Sequence, residues 1–324
     1  MLRFRIKLVH TYSVTPIFPS DASISSRVSP NYPPRAGSAV SRRPSRRQLL
    51  RGLGAGIVGL GAGTVAYSAG FEPFHPVVER VDIPIVGLPR AFEGFRIAQL
   101  SDLHVQPGFG ADALVPALKL AQAETPDLFA ITGDYINDDA PDPDDHMHAC
   151  ARALAGLKAP SGVFATFGNH DYPPPPADPS PLPWAAAGIR TLSDEVVPIH
   201  RGSDSIYLVG LRSFTKRPVA PAEILRLAPP RATKIVLWHE PDRAEECALG
   251  GAALQLSGHT HGGQVVLPWI GPPLLPAGGR KYPSGLFTVA GMPLYVTRGV
   301  GLLNPRLRLN CPPEVTLLTL RRAT

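Results

Sequence analysis

With 324 residues and 44% hydrophobic content, the chain is long enough for one large α/β domain or two small ones, and too apolar to be disordered throughout. Its net charge of +6 is unevenly placed: residues 1–70 hold ten Lys/Arg and one acid, whereas residues 71–324 hold 22 basic and 25 acidic residues. The slightly acidic body lacks the general footprint of a nucleic-acid binder, and three cysteines with no C-x-x-C pair exclude a zinc ribbon or a dithiol redox motif.

Residues 1–40 are rich in Ser, Pro and Arg without sustained periodicity, which predicts disorder. A basic segment with paired arginines, Arg46 and Arg47, follows, and then an uncharged Gly/Ala-rich stretch over residues 52–71. A basic segment before a moderately apolar one is a targeting signal. Here it resembles a twin-arginine export leader, with Ala66-Tyr67-Ser68 as a small-residue cleavage site. The same twenty residues are long enough for a membrane anchor. Residues 1–70 are thus expected to be a leader or anchor, and residues 71–324 the functional domain. The partner implied is the twin-arginine export machinery, and the location periplasmic, extracytoplasmic or membrane-associated.

In the body, residues 81–86 and 95–100 read as strands, and residues 112–124 as a helix with Leu114, Leu118 and Ala121 on one face. A strand over 128–131 precedes an acidic loop at 137–145 and a helix to about residue 157. A strand over 163–167 leads to a proline-rich surface loop, residues 173–183. Strands are expected at 206–211, 235–238 and 254–256, a long Pro/Gly loop at 267–285, and closing strands at 294–297 and 315–320. Strands alternate with helices early and dominate late, which implies a layered α/β domain.

Five of these apolar runs end in polar, chemistry-bearing residues. They are Asp102 and His104, Asp134, Asn169-His170-Asp171, His239, and the Gly258-His259-Thr260-His261 turn. The C-terminal ends of strands are where α/β folds place ligands. Of these residues, Asp102, Asp134, Asn169, His104, His239, His259 and His261 are two carboxylates, one amide and four imidazoles without a thiolate, which suit Mn²⁺, Fe or Zn²⁺. Seven donors exceed what one tetrahedral zinc needs. They suit two metal ions about 3.5–4 Å apart, which generate a bridging hydroxide near neutral pH and stabilise an in-line displacement at phosphorus.

The ordered set Asp102-x-His104, Gly133-Asp134, Gly168-Asn169-His170-Asp171, His239 and Gly258-His259-Thr260-His261 resembles the calcineurin-like metallophosphoesterase family, over residues 82–320. The resemblance implies a sandwich of two mixed β-sheets flanked by helices. It also implies one divalent or trivalent metal ion held by Asp102, His104 and His261, a second held by Asn169, His239 and His259, and Asp134 bridging them. His170 would then protonate the leaving oxygen or steady the transition state, with Asp171 orienting it. The segments His239-x-Pro241-Asp242, Gly262-Gly263-Gln264, Lys281-Tyr282-x-x-Gly285, 295–299 and Pro313-Glu314-Val315 resemble bacterial exported or membrane-associated phosphodiesterases related to UDP-diacylglucosamine pyrophosphatases. A phosphoester, lipid-linked or nucleotide-linked, is the substrate this implies. One departure is Arg212-Ser213, where such relatives often carry acids.

Several residues admit two readings. Arg280 and Lys281 are candidate phosphate contacts, or solvated surface. Trp269, Ile270, Leu274 and Leu275 are expected to pack onto the domain, the functional alternative being a lipid tail or membrane surface. His146 and His148, two apart on a predicted helix, do not face each other and are not expected to hold a metal. For the protein as a whole, the alternatives to a phosphodiesterase are a nuclease or cyclic-nucleotide phosphodiesterase and a metal-binding, catalytically silent envelope protein.

Overall fold

Strand residues 97–100 alternate between two interiors: Ile97 faces one apolar cluster, Ala98 and Leu100 another. Side chains on a strand point to opposite faces in turn, so a strand buried on both faces serves two cores. The computed structural model describes residues 45–137, 142–173 and 177–323, with the backbone alone at 182. The expected disorder of residues 1–40 therefore lies outside the described residues, as do parts of the acidic and proline-rich loops.

The chain divides into a unit ending at Gly52 and a larger one beginning at Leu53. Helix α1 (Arg46–Gly70) starts in the first, where Ser45 and Gln48 cap each other's backbone N–H, and ends in the second.

Two six-stranded mixed sheets form the larger unit. The first holds β1 (Val77–Val86), β2 (Arg96–Leu100), β3 (Leu128–Ile131), β4 (Val163–Ala165), β5 (Arg190–Thr191) and β12 (Glu314–Ala323), in the order β1-β12-β2-β3-β4-β5. The second holds β6 (Glu195–Arg201), β7 (Asp204–Gly210), β8 (Lys234–Leu237), β9 (Leu254–Ser257), β10 (Gly285–Val289) and β11 (Met292–Val296), in the order β10-β11-β9-β8-β7-β6. In each sheet the central strands β2-β3-β4 and β7-β8-β9 run parallel.

Ile83, Ile97, Leu128, Ile235, Leu237 and Leu318 fill the space between the sheets. The outer face of the first sheet packs on α2 (Val115–Ala123) and α3 (Pro143–Leu154) through Ala117, Ala121, Cys150 and Leu154. Beyond the short α4 (Leu182–Ala186), the outer face of the second sheet packs on α5 (Pro221–Leu225) and α6 (Ala244–Leu249) through Leu225, Ala244 and Cys247. The layers are α-β-β-α, as the resemblance implies. All three cysteines are free and buried.

The differences from the sequence expectation concern edges. β1 begins at Val77, four residues early, because it pairs with β12 along its whole length, from Val77↔Glu314 to Val86↔Ala323. β4 stops at Ala165, and Thr166 turns its hydroxyl to the Leu211 carbonyl, just past the end of β7. Edge strands β5, β6 and β10 had no run apolar enough to stand out, since one face of each meets solvent.

Candidate metal centre

The residues that follow β2, β3, β4, β8 and β9 meet at one place, between the C-terminal ends of the two sheets. Backbone bonds set the approach. Asp102 donates its N–H to the Gly133 carbonyl, His104 to the Asp134 carbonyl, and Gly258 to the His239 carbonyl. Gln99 ties the sheets together below, donating to Thr132 Oγ1 and to the Ser257 carbonyl. Glycine is required at two approaches: a Cβ on Gly258 would overlap Ser101 Oγ and Asp102 Oδ2, and one on Gly168 would overlap the Asp134 carboxylate.

Two groups of donors result, Asp102 with His104 and His261, and Asp134 with His239 and His259, each with its ligand atoms within 4.8 Å of one another. All six residues are buried. Asp134 lies between the groups, with Oδ2 2.9 Å from His239 Nε2 and 3.6 Å from His104 Nε2. Five of the six have positive φ: Asp102, His104, Asp134, His259 and His261. Such backbone costs energy for a residue with a Cβ and is kept where the surroundings enforce it, most often at functional sites.

The unsatisfied atoms fit a cation. Asn169 Oδ1 is buried without a hydrogen-bond partner, and His239 Nε2 has only the Asp134 carboxylate beside it, at 2.9 Å. His104 Nε2 and His261 Nε2 face each other at 3.0 Å. His239 Nδ1 is 2.6 Å from the Thr132 carbonyl and His259 Nε2 is 2.9 Å from the Ala277 carbonyl, contacts that fix each ring's tautomer and direct its other nitrogen to the centre. The donors offered are imidazole nitrogens, carboxylates and one amide oxygen, a set for borderline or hard metal ions.

The side chains of the centre set strong electrostatics among themselves. Burial lifts the Asp102 carboxyl to about 6 despite the His239 ring beside it. Burial pushes His104 down to about 3, and burial with neighbouring imidazoles keeps His259 and His261 low as well. Asp134 and His239 go the other way: burial opposes both charges, yet each holds the other ionised, Asp134 well below and His239 well above its usual range.

His170 stands at the edge of the centre. Its N–H donates to Asp134 Oδ1 at 2.9 Å, and its ring lies edge-on to His104 at 5.1 Å between centroids. Asp171 ties distant backbone together. Its carboxylate accepts the backbone N–H groups of Asp134, Tyr135 and Gly168, at 2.8, 2.7 and 2.8 Å. It therefore clamps the β3 and β4 loops together. Burial and the Asp134 charge raise its carboxyl to about 7.

A cavity of about 660 Å³ opens beside His170, with Ile136, Met147, Tyr172 and Pro179 on its wall and Lys216 and Arg217 at its edge. Arg280 and Lys281 are exposed. Both backbone N–H groups bond the Asp242 carboxylate at 2.9 Å, and the Lys281 ammonium pairs with Glu245 at 3.4 Å. Arg212 pairs with Asp194, while Ser213 Oγ donates to Glu240. His146 and His148 lie on α3, outside both donor groups.

Sequence reasoning passed over Arg308. This fully buried guanidinium donates to the carbonyls of Arg298, Gly299, Gly301 and Cys311. The loop it gathers bonds straight to the Asp102 strand end, Val300 N–H to the Ser101 carbonyl and Gly301 N–H to the Asp102 carbonyl. Nothing local in the sequence marks it.

Residues 95–263 match the calcineurin-like phosphoesterase family. The chain belongs to the calcineurin-like metallophosphoesterases. As a member of that family it is a metal-dependent phosphoester hydrolase, and family members use divalent metal ions. It is 32% identical over 299 residues to the uncharacterised metallophosphoesterase YkuE of Bacillus subtilis, covering 86% of this chain and 99% of that one. It is 34% identical over 228 residues to the phosphodiesterase YaeI of Escherichia coli, covering 70% and 82%. The UDP-2,3-diacylglucosamine pyrophosphatase LpxG of Chlamydia muridarum is 26% identical over 286 residues, covering 71% of this metallophosphoesterase and 86% of that protein.

Proposed function

We propose that this metallophosphoesterase is a two-metal phosphodiesterase acting on a glycolipid or nucleotide-linked (pyro)phosphate. The observation that carries the reading is the position of Asp134 Oδ2, between the two donor groups and within 3.6 Å of an imidazole from each. Asp102, His104 and His261 are assigned to one ion, Asn169, His239 and His259 to the other, and Asp134 to both. The absence of thiolate leaves Mn, Zn or Fe as the pair. Two such ions, when bound, supply charge stabilisation at the phosphoryl oxygens and a nucleophile at neutral pH.

His170 is assigned the proton for the leaving oxygen, since its ring stands beside the donor groups and borders the cavity. Asp171 is assigned a positioning role, holding Asp134 and Gly168 in place through their N–H groups. A cavity with an apolar wall suits a second, bulky ester substituent better than a bare monoester. The likeness to YaeI, a phosphodiesterase, and LpxG, a pyrophosphatase, supports the same preference.

Metal-stripped protein reloaded with Mn²⁺, Zn²⁺ or Fe and given bis-p-nitrophenyl phosphate and p-nitrophenyl phosphate tests the reading. Diester turnover that returns with metal is expected. Monoester preference would refute the diesterase assignment, and two bound metals without turnover would favour a silent binding protein.

Residues 1–70 are assigned as a twin-arginine leader or retained anchor, and residues 71–324 as the catalytic domain. In support, the helical segment from Arg46 to Phe74 is long and apolar enough to cross a membrane. Replacing Arg46 and Arg47 with lysine is expected to trap the protein in the cytoplasm; unchanged export would exclude the twin-arginine route.

A further inference from the structure

The loop between β9 and β10 leaves large apolar side chains in water. Trp269 is fully exposed, Ile270 is 74% and Leu274 is 78% exposed. Of the four apolar residues expected to pack onto the domain, Leu275 alone is half-buried. Trp269 sits at the tip of a tight turn in which Leu267 and Gly271 exchange both backbone hydrogen bonds, and its φ is 63°. An indole held in left-handed backbone and packed against nothing gains no burial within the domain. Exposed apolar groups clustered in this way mark contact surfaces.

The base of the turn shows which contact. Val266 donates its N–H to the Leu309 carbonyl, and Asn310 Nδ2 donates to the Val266 carbonyl. The same short segment receives the end of α1. Arg308 N–H bonds the Ser68 carbonyl, and the N–H groups of Asn310 and Cys311 bond the Glu72 carboxylate. The candidate membrane span and the apolar turn are therefore fastened to one stretch of four residues. On α1, Leu53, Ile57, Leu60 and Val65 are all more than half exposed. A bilayer that receives α1 meets the turn beside it.

We propose that Trp269, Ile270 and Leu274 insert into the interfacial layer of the membrane that α1 enters. Tryptophan favours that layer because its ring is apolar and its N–H is polar. The far end of the same loop reaches the metal centre, where the Ala277 carbonyl lies 2.9 Å from His259 Nε2. Seating the turn in lipid thus brings the rim of the centre to the bilayer surface.

The protein carries its own reporter. Trp184 and Trp238 are fully buried, so Trp269 dominates collisional quenching. The full chain would be reconstituted into phosphatidylethanolamine/phosphatidylglycerol vesicles, floated, and examined with acyl-chain-brominated phospholipid and with acrylamide. Trp269→Phe supplies the blank. Quenching by brominated lipid is expected, absent in the blank, and lost when Ile270 and Leu274 are both replaced with serine while α1 still holds the protein on the vesicles. No brominated-lipid quenching overturns the proposal. Free acrylamide access would then mean that the turn faces water, and protection from both quenchers would mean that a second copy covers it. Turnover is not needed, so a failure of the phosphodiesterase reading leaves this test intact.

Discussion

His104 Nε2 and His261 Nε2 face each other at 3.0 Å, and Asp102 Oδ1 stands 3.3 Å from the same His261 nitrogen. Burial keeps both imidazoles neutral, and a cation between them would take a lone pair from each Nε2. His261→Ala is accordingly expected to lower bound metal and to reduce turnover at least on the order of 100-fold, the upper range for disturbing an outer partner alone. His170→Ala should keep both metals and lose about 10²–10⁴ in kcat. Metal analysis beside steady-state kinetics separates the two, and equal metal loss in both variants would sink the assigned roles.

The charge pattern of the metal-free centre predicts proton release on loading. Burial opposes the His239 imidazolium, but Asp134 at 2.9 Å and Asp102 at 4.0 Å keep it protonated well above its usual range. A metal ion at His239 must expel that proton. Below pH about 6 the raised Asp102 carboxyl also carries one. Affinity should therefore rise with pH, more steeply below about 6 than above it. Titration calorimetry in two buffers of different ionisation enthalpy should find net proton release at pH 7.5 and more at pH 5.5. Loading without proton release would mean that His239 is neutral before the metal arrives.

The strand ends were legible because each pairs an apolar run with a donor at its close, a pattern set by adjacent residues: Leu128–Ile131 then Asp134, Leu254–Ser257 then His259 and His261. The layered fold follows from the same runs. Arg308 was not legible, since its partners are backbone carbonyls that only the folded loop assembles. The backbone clamp made by Asp171 was not legible for a related reason. Its neighbour in sequence is His170, but its carboxylate bonds the β3 loop 36 and 37 residues away. The exposure of Trp269 depends on a turn whose base is fixed by residues 309 and 310. Local pattern carries the chemistry, while the parts that hold it in place come from distant backbone.

Asp171→Asn probes that holding role. An amide presents one acceptor oxygen, so at least one of the N–H groups of Asp134, Tyr135 and Gly168 loses its partner in the buried loop. Leaving one such donor unmade costs roughly 1–3 kcal/mol. The expected variant is less stable by that amount, binds metal more weakly at the group containing Asp134, and loses kcat in step with metal occupancy. A loss of kcat at full occupancy and unchanged stability would instead place Asp171 in the proton path of His170.

Arg308 offers the sharpest test of how the scaffold sets the centre. Its guanidinium gathers four carbonyls of a loop whose N–H groups bond the strand end at Ser101 and Asp102. Arg308→Met would take the guanidinium donor from the carbonyls of Arg298, Gly301 and Cys311, while Gly299 keeps the Glu314 N–H, for a loss of roughly 3 kcal/mol or more. Arg308→Lys should rescue little, because an ammonium lacks the planar fork that reaches separated acceptors. Urea unfolding of both variants, with metal content measured below the transition, should show lower midpoints and weaker metal retention at the group containing Asp102. If Arg308→Lys matched the unsubstituted protein in both measurements, the charge rather than the fork would be what the loop requires.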